Sequence, residues 1–377
     1  MRWEEKYYLM NQPEHWHKVL ADRRENGNYR SLKIQEEGVD FFSNDYLGIA
    51  GNKAFQQHLL ELLNINPELL SGATGSRLIS GNSLVYVQAE EFIAKIHQLE
   101  NALLFPSGYK ANLALFSCIA GRNQTILIDE LVHRSVYDGC ALSYAQKKKF
   151  RHNDLNHLEY LLSRATGPVF IAVESLYSMD GDFAPLEEIV TLAERYGAWV
   201  IVDEAHTVGV FGKGLVHRHN LQNRVLATVI TYGKAFGMQG AVVAGSSVLK
   251  EYLVNFASPF IYSTAMQGYQ VQGIVEAYQF LETYPHLENE LQNNIEYFRQ
   301  HQIHSLSQSK SPVQIVQFPA VEKLCKATQE LKQQKINTYP IFSPTVKTGS
   351  ERLRITLHQF NSITEIDELA RIIKNNL

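Results

Sequence analysis

The sequence predicts an α/β protein in which a large domain with a mostly parallel sheet is followed by a small α+β domain. Three observations carry this reading. Between about Ala102 and Ser247, short apolar runs alternate with helix-length segments; runs without strict alternation mark strands buried on both faces. After residue 280 the pattern changes to short alternating strands. A chain of 377 residues with 45% hydrophobic content is also long and apolar enough for a sizeable core.

Taken in order, residues 1–45 read as an N-terminal segment, 46–280 as the large domain and 281–377 as the small one. The buried strands of the large domain are "NALLFP", "TILID", "VFIAVES", "AWVIVDEAH", "ATVITYGK" and "GAVVAGS". "QKKKF", at 146–150, reads as a solvated charge run. A helical stretch through "NELQNNIEYFRQ" then leads over a polar joint, "SLSQSKS", to the strands "PVQIVQF" and "RLRITL". The last helix opens with Ser362 and Glu365 at capping-box spacing and repeats Ile366, Leu369 and Ile373 on one face.

Composition excludes several functions. A net charge of −4 gives no basic field for a polyanion. Cys118, Cys140 and Cys325 are few, odd in number and far apart, which argues against a disulfide framework or a Cys-x-x-Cys metal site. "HRHN" at 217–220 lacks a further ligand at a suitable spacing and reads as a loop, so no metal is expected. The start "MRWEEKYYLMNQPEH" carries charges where a signal peptide needs an apolar core, so none is expected, and no apolar run approaches the roughly 18 residues of a membrane span. The expectation is a soluble, cytoplasmic protein that binds no nucleic acid. The letters D-E-A-H inside "VDEAHTVGVFGKG" would suit a helicase, but no Gly-x-x-x-x-Gly-Lys-Ser/Thr phosphate loop exists in the chain.

What remains of that stretch is Asp203, directly after a buried strand, where an open parallel sheet binds its ligands. Glu174 and Ser178 follow the end of "VFIAVES", and Thr231 and Lys234 follow "ATVITYGK". These ends recur about every thirty residues, the spacing of successive βαβ units, so they face one crevice. An acid for a cationic ring nitrogen, a lysine for a Schiff base and a hydroxyl for a phosphate are the parts that pyridoxal phosphate needs. "FPSGYKAN" adds a turn at Ser107 and Gly108 into a helix near Tyr109, a ready anion site. His133, after "TILID", can lie flat on a planar ring. Alone, Asp203 would be a helix cap and Lys234 a solvated lysine; their convergence on one sheet edge favours a site.

The ordered set "SNDYLG", "SGATGSR", "FPSGYKAN", "ESLYSMDGD", "VDEAHTVGVFGKG", "TYGKAFGMQGA", "IYSTA" and "RLRITL" resembles the α-oxoamine synthases, fold-type-I transferases that use pyridoxal 5'-phosphate. The match runs from about Phe41 to the C-terminus and is nearest the branch that serves biotin synthesis. The resemblance implies that Lys234 carries the cofactor, Asp203 pairs with its ring nitrogen and His206 bonds its phenolate oxygen. It assigns Gly108, Tyr109, Ser178, Thr231 and Glu174 to cofactor binding and His133 to the ring face. Arg354, Thr345 and Asn44 become substrate contacts, with Arg23 or Arg24 near the acyl entrance. It also implies a homodimer in which Ser263 and Thr264 reach the neighbour's phosphate. The reaction implied is decarboxylative condensation of an amino acid, L-alanine in this branch, with an acyl thioester, a pimeloyl group on coenzyme A or acyl carrier protein.

One departure stands out. Relatives carry Arg-Pro-Pro-Thr-Val where this chain reads "FSPTV", with Phe342 and Ser343 in place of the arginine and first proline. The change leaves the cofactor residues untouched and falls on the acyl substrate. Glycine C-acetyltransferase or a serine-using long-chain relative would share every cofactor residue. A non-catalytic scaffold subunit of the same fold is expected to lose the lysine, which is present here as Lys234.

Overall fold

The computed structural model describes residues 13–32, 34, 37–343 and 346–377. After the two-residue β1 (Val39–Asp40), seven strands form the main sheet: β2 (Asn101–Phe105), β3 (Thr125–Asp129), β4 (Gln146–Phe150), β5 (Val169–Glu174), β6 (Trp199–Asp203), β7 (Ala227–Thr231) and β8 (Ala241–Gly245). Their order is β2-β8-β7-β6-β5-β3-β4, with β8 antiparallel to both neighbours and the other pairings parallel. Every residue of β3, β5 and β8 is buried, which accounts for their unbroken apolar runs. Helices such as Arg134–Leu142, Leu155–Leu162 and Leu186–Arg195 connect successive parallel strands. The chain steps outward from β3 to β4 and returns through β5 to β6 and β7, so its winding reverses between β3 and β5. That reversal opens a crevice at the carboxyl ends of the strands.

"QKKKF" is solvated, as its charge suggests, but it is also a strand. β4 pairs only with β3 and buries only Phe150. Lysines on an edge strand discourage further pairing, and the same lysines remove the apolar signal by which a strand is read. "HRHN" differs as well, because His217 and Arg218 end a one-turn helix, Leu215–Arg218.

The C-terminal part holds β9 (Val313–Gln317), β10 (Ile336–Asn337), β11 (Tyr339–Ile341) and β12 (Arg352–Thr356). Strands β11, β12 and β9 form an antiparallel sheet in that order, and β10 pairs with β1 in parallel. The helix Ile363–Asn376 has both hydrogen bonds of the Ser362–Glu365 capping box and buries Ile366, Leu369 and Ile373. The polar joint is pinned rather than loose: Ser307 Oγ donates to the Asp180 carbonyl at 2.7 Å, and the Gln308 amide donates to that of Gly181 at 3.1 Å. One apolar core runs from the large sheet to Leu353, Ile355 and Leu369.

Candidate active site

A cavity of about 560 Å³ opens at the carboxyl ends of β5, β6 and β7, within the usual size range of small-ligand sites. Strand register sets its floor by placing Glu174 opposite Asp203. Asp203 is buried with both carboxylate oxygens engaged: Oδ2 accepts from Asn112 Nδ2 at 2.7 Å and Oδ1 from the Ala205 amide at 2.9 Å. Glu174 accepts the His133 backbone N–H. Burial, and then the charge of Asp203, raises the Glu174 pKa well above the ordinary carboxyl value, with the His133 bond opposing.

Lys234 lies three residues beyond β7 and half-buried in the cavity wall. Loss of water lowers its pKa, Asp203 and Glu174 oppose that shift, and Arg354 adds to it. A lysine shifted in this direction is more readily an unprotonated nucleophile or base. The wall from β2 contributes an anion cradle. Ser107 Oγ accepts the Lys110 amide at 3.3 Å and caps the helix Gly108–Cys118. The Gly108 and Tyr109 amides, in the first turn, fall outside the helix's own ladder and are available to an anion. A Cβ at position 108 would come within 2.5 Å of Thr231 Cγ2, so glycine is what lets this turn close on β7.

Two histidines complete the cavity. His133 caps the helix Arg134–Leu142 and sits 2.8 Å from Ser135 Oγ through Nδ1. His206 is buried, with Nδ1 2.6 Å from the Tyr46 hydroxyl. Burial, and then the charges of Lys234 and Arg354, hold the His206 pKa well below the ordinary histidine value, so the ring is neutral. Burial pushes the Tyr46 phenol up to about 12, so it keeps its single proton. The hydroxyl lies 2.6 Å from His206 Nδ1 and 3.3 Å from Asn44 Oδ1; donated to Nδ1, its proton leaves the His206 proton on Nε2, and donated to Asn44 it leaves that proton on Nδ1.

Asn44, Gly108, Tyr109, His133, Glu174, Asp203, His206, Thr231 and Lys234 thus border one cavity. Three residues that hold them in place escaped the sequence reading. Asn112 joins Asp203 to Ser135, which meets His133, and Tyr46 joins His206 to Asn44. A signal existed for Asn112, since an asparagine inside the apolar helix "NLALF" needs a partner. Its Oδ1 is buried without a hydrogen bond among the described residues.

Other expected residues lie elsewhere. Ser178 does not border the cavity; its carbonyl accepts Arg354 Nε at 2.8 Å. Arg354 is buried on β12 and does not offer an open fork, because NH1 binds Thr356 Oγ1 at 3.0 Å and the Phe42 carbonyl at 3.4 Å, while NH2 binds Asn44 Oδ1 at 3.0 Å. Guanidinium has five N–H donors; these four bonds leave one, on the side of the Tyr46 hydroxyl. Ser263 and Thr264 border a separate cleft with Arg77, and Ser263 Oγ accepts from Lys110 Nζ at 3.2 Å. Arg23 is exposed on the helix Glu14–Glu25, outside the cavity lining, and Arg24 covers the Tyr29 ring at 4.3 Å. Thr345 lies outside the described residues.

The model of the family "Aminotransferase class I and II" matches residues 36–373. The 8-amino-7-oxononanoate synthase of Chromobacterium violaceum is 37% identical over 336 residues, covering 88% of this chain and 87% of that protein. The enzyme of the same name from Emericella nidulans is 35% identical over 387 residues, covering 94% and 93%. Among solved structures, serine palmitoyltransferase from S. paucimobilis with a bound PLP–myriocin aldimine superposes with a TM-score of 0.86 at 23% identity, covering 98% of each chain. The 8-amino-7-oxononanoate synthase of Francisella tularensis gives 0.76 at 26% identity, covering 90% and 98%. The chain therefore belongs to the class I and II aminotransferase family and, within it, to the α-oxoamine synthases.

Proposed function

We propose that this chain is a pyridoxal-phosphate-dependent acyltransferase that condenses L-alanine with a pimeloyl thioester, releasing carbon dioxide and the thiol and forming 8-amino-7-oxononanoate. The observation that carries the reading is the convergence of Lys234, the buried Asp203 carboxylate and the Gly108–Tyr109 helix N-terminus on one cavity. The residues fit the cofactor, with an amine to hold it, a carboxylate for its ring nitrogen and free amides for its phosphate. The names of the relatives support the biotin-type reaction.

Bound there, the cofactor would supply an electron sink for charge at the Cα of the amino acid. Asp203 would keep the ring nitrogen protonated, with Asn112 fixing the carboxylate. His206 would donate from Nε2 to the phenolate oxygen, and His133 would cover the ring. Lys234 would carry the Cα proton. The remaining N–H of Arg354 would hold one carboxylate oxygen of the substrate, next to Asn44. Ser263 and Thr264, set apart from their own cavity, suit a homodimer in which they serve the neighbour's phosphate; exposed Leu78, Ile79, Leu84 and Tyr262 provide apolar surface for such an interface. Among the described residues no helix is long and apolar enough to cross a membrane.

Product mass spectrometry with a panel of amino acids and acyl thioesters tests the proposal. 8-Amino-7-oxononanoate from alanine and a pimeloyl thioester is the expected product. Preferred turnover of serine with a long-chain donor would overturn it in favour of a sphingolipid-type reaction.

A further inference from the structure

A second polar cluster lies behind the loop from Leu176 to Phe183, outside the cavity. His152 bridges two carboxylates, with Nδ1 2.9 Å from Asp129 Oδ1 and Nε2 2.6 Å from Asp182 Oδ2. Asp129 is fully buried at the end of β3. The ring of Tyr177 packs edge-on to the imidazole at 4.4 Å between centroids. Asn153 reinforces the bridge: its amide donates to Asp129 Oδ2 at 3.0 Å and its Nδ2 to Asp182 Oδ2 at 2.9 Å. Burial works against a charged ring here, but the bonds and charges of Asp129 and Asp182 outweigh it and push the His152 pKa up to about 10. The ring is an imidazolium at neutral pH, able to donate from both nitrogens.

The loop passes this constraint onward. It is closed by the Leu176–Phe183 bridge and by the Tyr177 amide donating to the Asp182 carbonyl at 3.0 Å. Gly181 has φ +69°, and a Cβ there would lie 2.3 Å from the Val313 carbonyl oxygen, so the loop sits tightly on β9. Asp180 Oδ1 accepts Arg352 NH1 at 2.6 Å, and the Ser178 carbonyl accepts Arg354 Nε at 2.8 Å. The loop is tied to the edge of the large sheet by the His152 bridge and by its neighbour Asn153, whose Nδ2 also donates to the Phe183 carbonyl at 3.2 Å; of the two, only His152 carries a charge to set against the two carboxylates.

We infer that His152 is a positioning residue: by clamping Asp182 to Asp129 it fixes the Leu176–Phe183 loop, whose Ser178 carbonyl sets the direction in which Arg354 meets the carboxylate of the amino acid substrate. The last step rests on the function proposed above; the clamp itself does not. Neutral replacement of His152 leaves two carboxylates facing each other without a shared cation, and the loop must yield.

The experiment compares cofactor-loaded wild type, His152→Gln and His152→Gln/Asp182→Asn. Hydrogen exchange of the 177–183 amides reads the clamp without reference to substrate, and steady-state kinetics with L-alanine reads its consequence. Exchange should accelerate in the single variant and recover in the double variant, which removes one of the opposed charges. The KM for alanine should rise roughly tenfold in the single variant, the size of one hydrogen bond to a charged group, with kcat held within about twofold. It should return most of the way in the double variant. Unchanged exchange in His152→Gln overturns the clamp. Accelerated exchange with unchanged KM, or a loss in kcat alone, overturns the link to Arg354. If the single variant does not fold, a double variant with wild-type exchange and KM supports the charge argument, and one with fast exchange overturns it. A wild type that shows no saturation by any amino acid defeats the proposed function and leaves the exchange result to judge the clamp.

Discussion

The floor of the cavity and the segment that follows β11 are built on opposite principles. On the floor, Asp203, His206, Asn112 and Tyr46 are all buried, and each is held by another of the group or by a backbone amide. Beyond β11, Phe342 is 37% exposed, and among the described residues the Ser343 hydroxyl meets that of Thr348 at 3.3 Å. A buried polar group without a partner costs about 1–3 kcal/mol, so any single change on the floor that strands a partner is penalised. The exposed segment carries no such penalty. The floor is therefore tightly specified, whereas the segment beyond β11 is free to drift, and the Phe342–Ser343 departure falls where drift is cheap.

Breaking the floor at Lys234 should have the largest effect. Lys234→Ala removes the amine proposed both to hold the cofactor and to act as base, and kcat should fall by at least the 10²–10⁴-fold typical of a lost general base. The borohydride-fixed link between cofactor and chain should vanish from the peptide containing residue 234. A reduced link surviving in the variant would place the attachment elsewhere.

Asp203→Asn separates structure from charge. Asparagine keeps one acceptor oxygen, and Asn112 can turn its unpartnered Oδ1 toward the new amide. The melting temperature should change by only a few degrees, corresponding to about 1 kcal/mol. Turnover should fall on the order of 10²–10³-fold, as when one preorganised electrostatic group is removed from an active site. Near-normal turnover would return Asp203 to a capping role.

Legibility in the sequence follows the same division. Strand ends were readable because buried parallel strands are continuous apolar runs, and Asp203, Thr231 and Lys234 sit where those runs stop. Glycine at 108 was readable from the turn it makes. Asn112 announces only that it needs a partner and Tyr46 not even that, because the groups they meet lie 91 and 160 residues away in the chain and no local pattern links them. β4 was missed for the opposite reason: its local pattern is plain but advertises solvent. Arg354 was placed on the correct strand, yet its occupied donors emerge only once Ser178, Phe42 and Asn44 are brought beside it.

A gentler break of the floor is Tyr46→Phe, which removes one hydrogen bond in a buried site and should lower stability by about 1 kcal/mol. The specific signature is the His206 tautomer. With the phenol gone, Nδ1 loses its donor, and nitrogen NMR of the ligand-free protein should show the proton shared with Nδ1 instead of held on Nε2. The kcat should drop severalfold, because the donor proposed for the phenolate oxygen is then only partly populated. A tautomer unchanged in the variant would mean that Asn44, not His206, receives the Tyr46 proton.

The smallest effect is expected beyond β11, and it sharpens the contrast from the other side. Phe342→Arg introduces the arginine that the family resemblance implies here, at a position exposed enough to accept it without repacking. If the acyl chain of the donor passes this point, an arginine would meet the distal carboxylate of a pimeloyl group, while an unbranched acyl chain of equal length without that carboxylate would gain nothing. Exposed ion pairs contribute about 0.2–1 kcal/mol, so kcat/KM for the pimeloyl donor should improve by roughly 1.5- to 5-fold relative to the uncharged donor. Because the pair is solvent-screened, raising the salt from 50 to 500 mM should erase most of the gain. Stability and the visible spectrum of the bound cofactor should not move, since Phe342 has no part in the network around Asp203. An equal response of both donors would show that the acyl chain runs elsewhere, and a change in the cofactor spectrum would show that this segment and the floor are coupled after all.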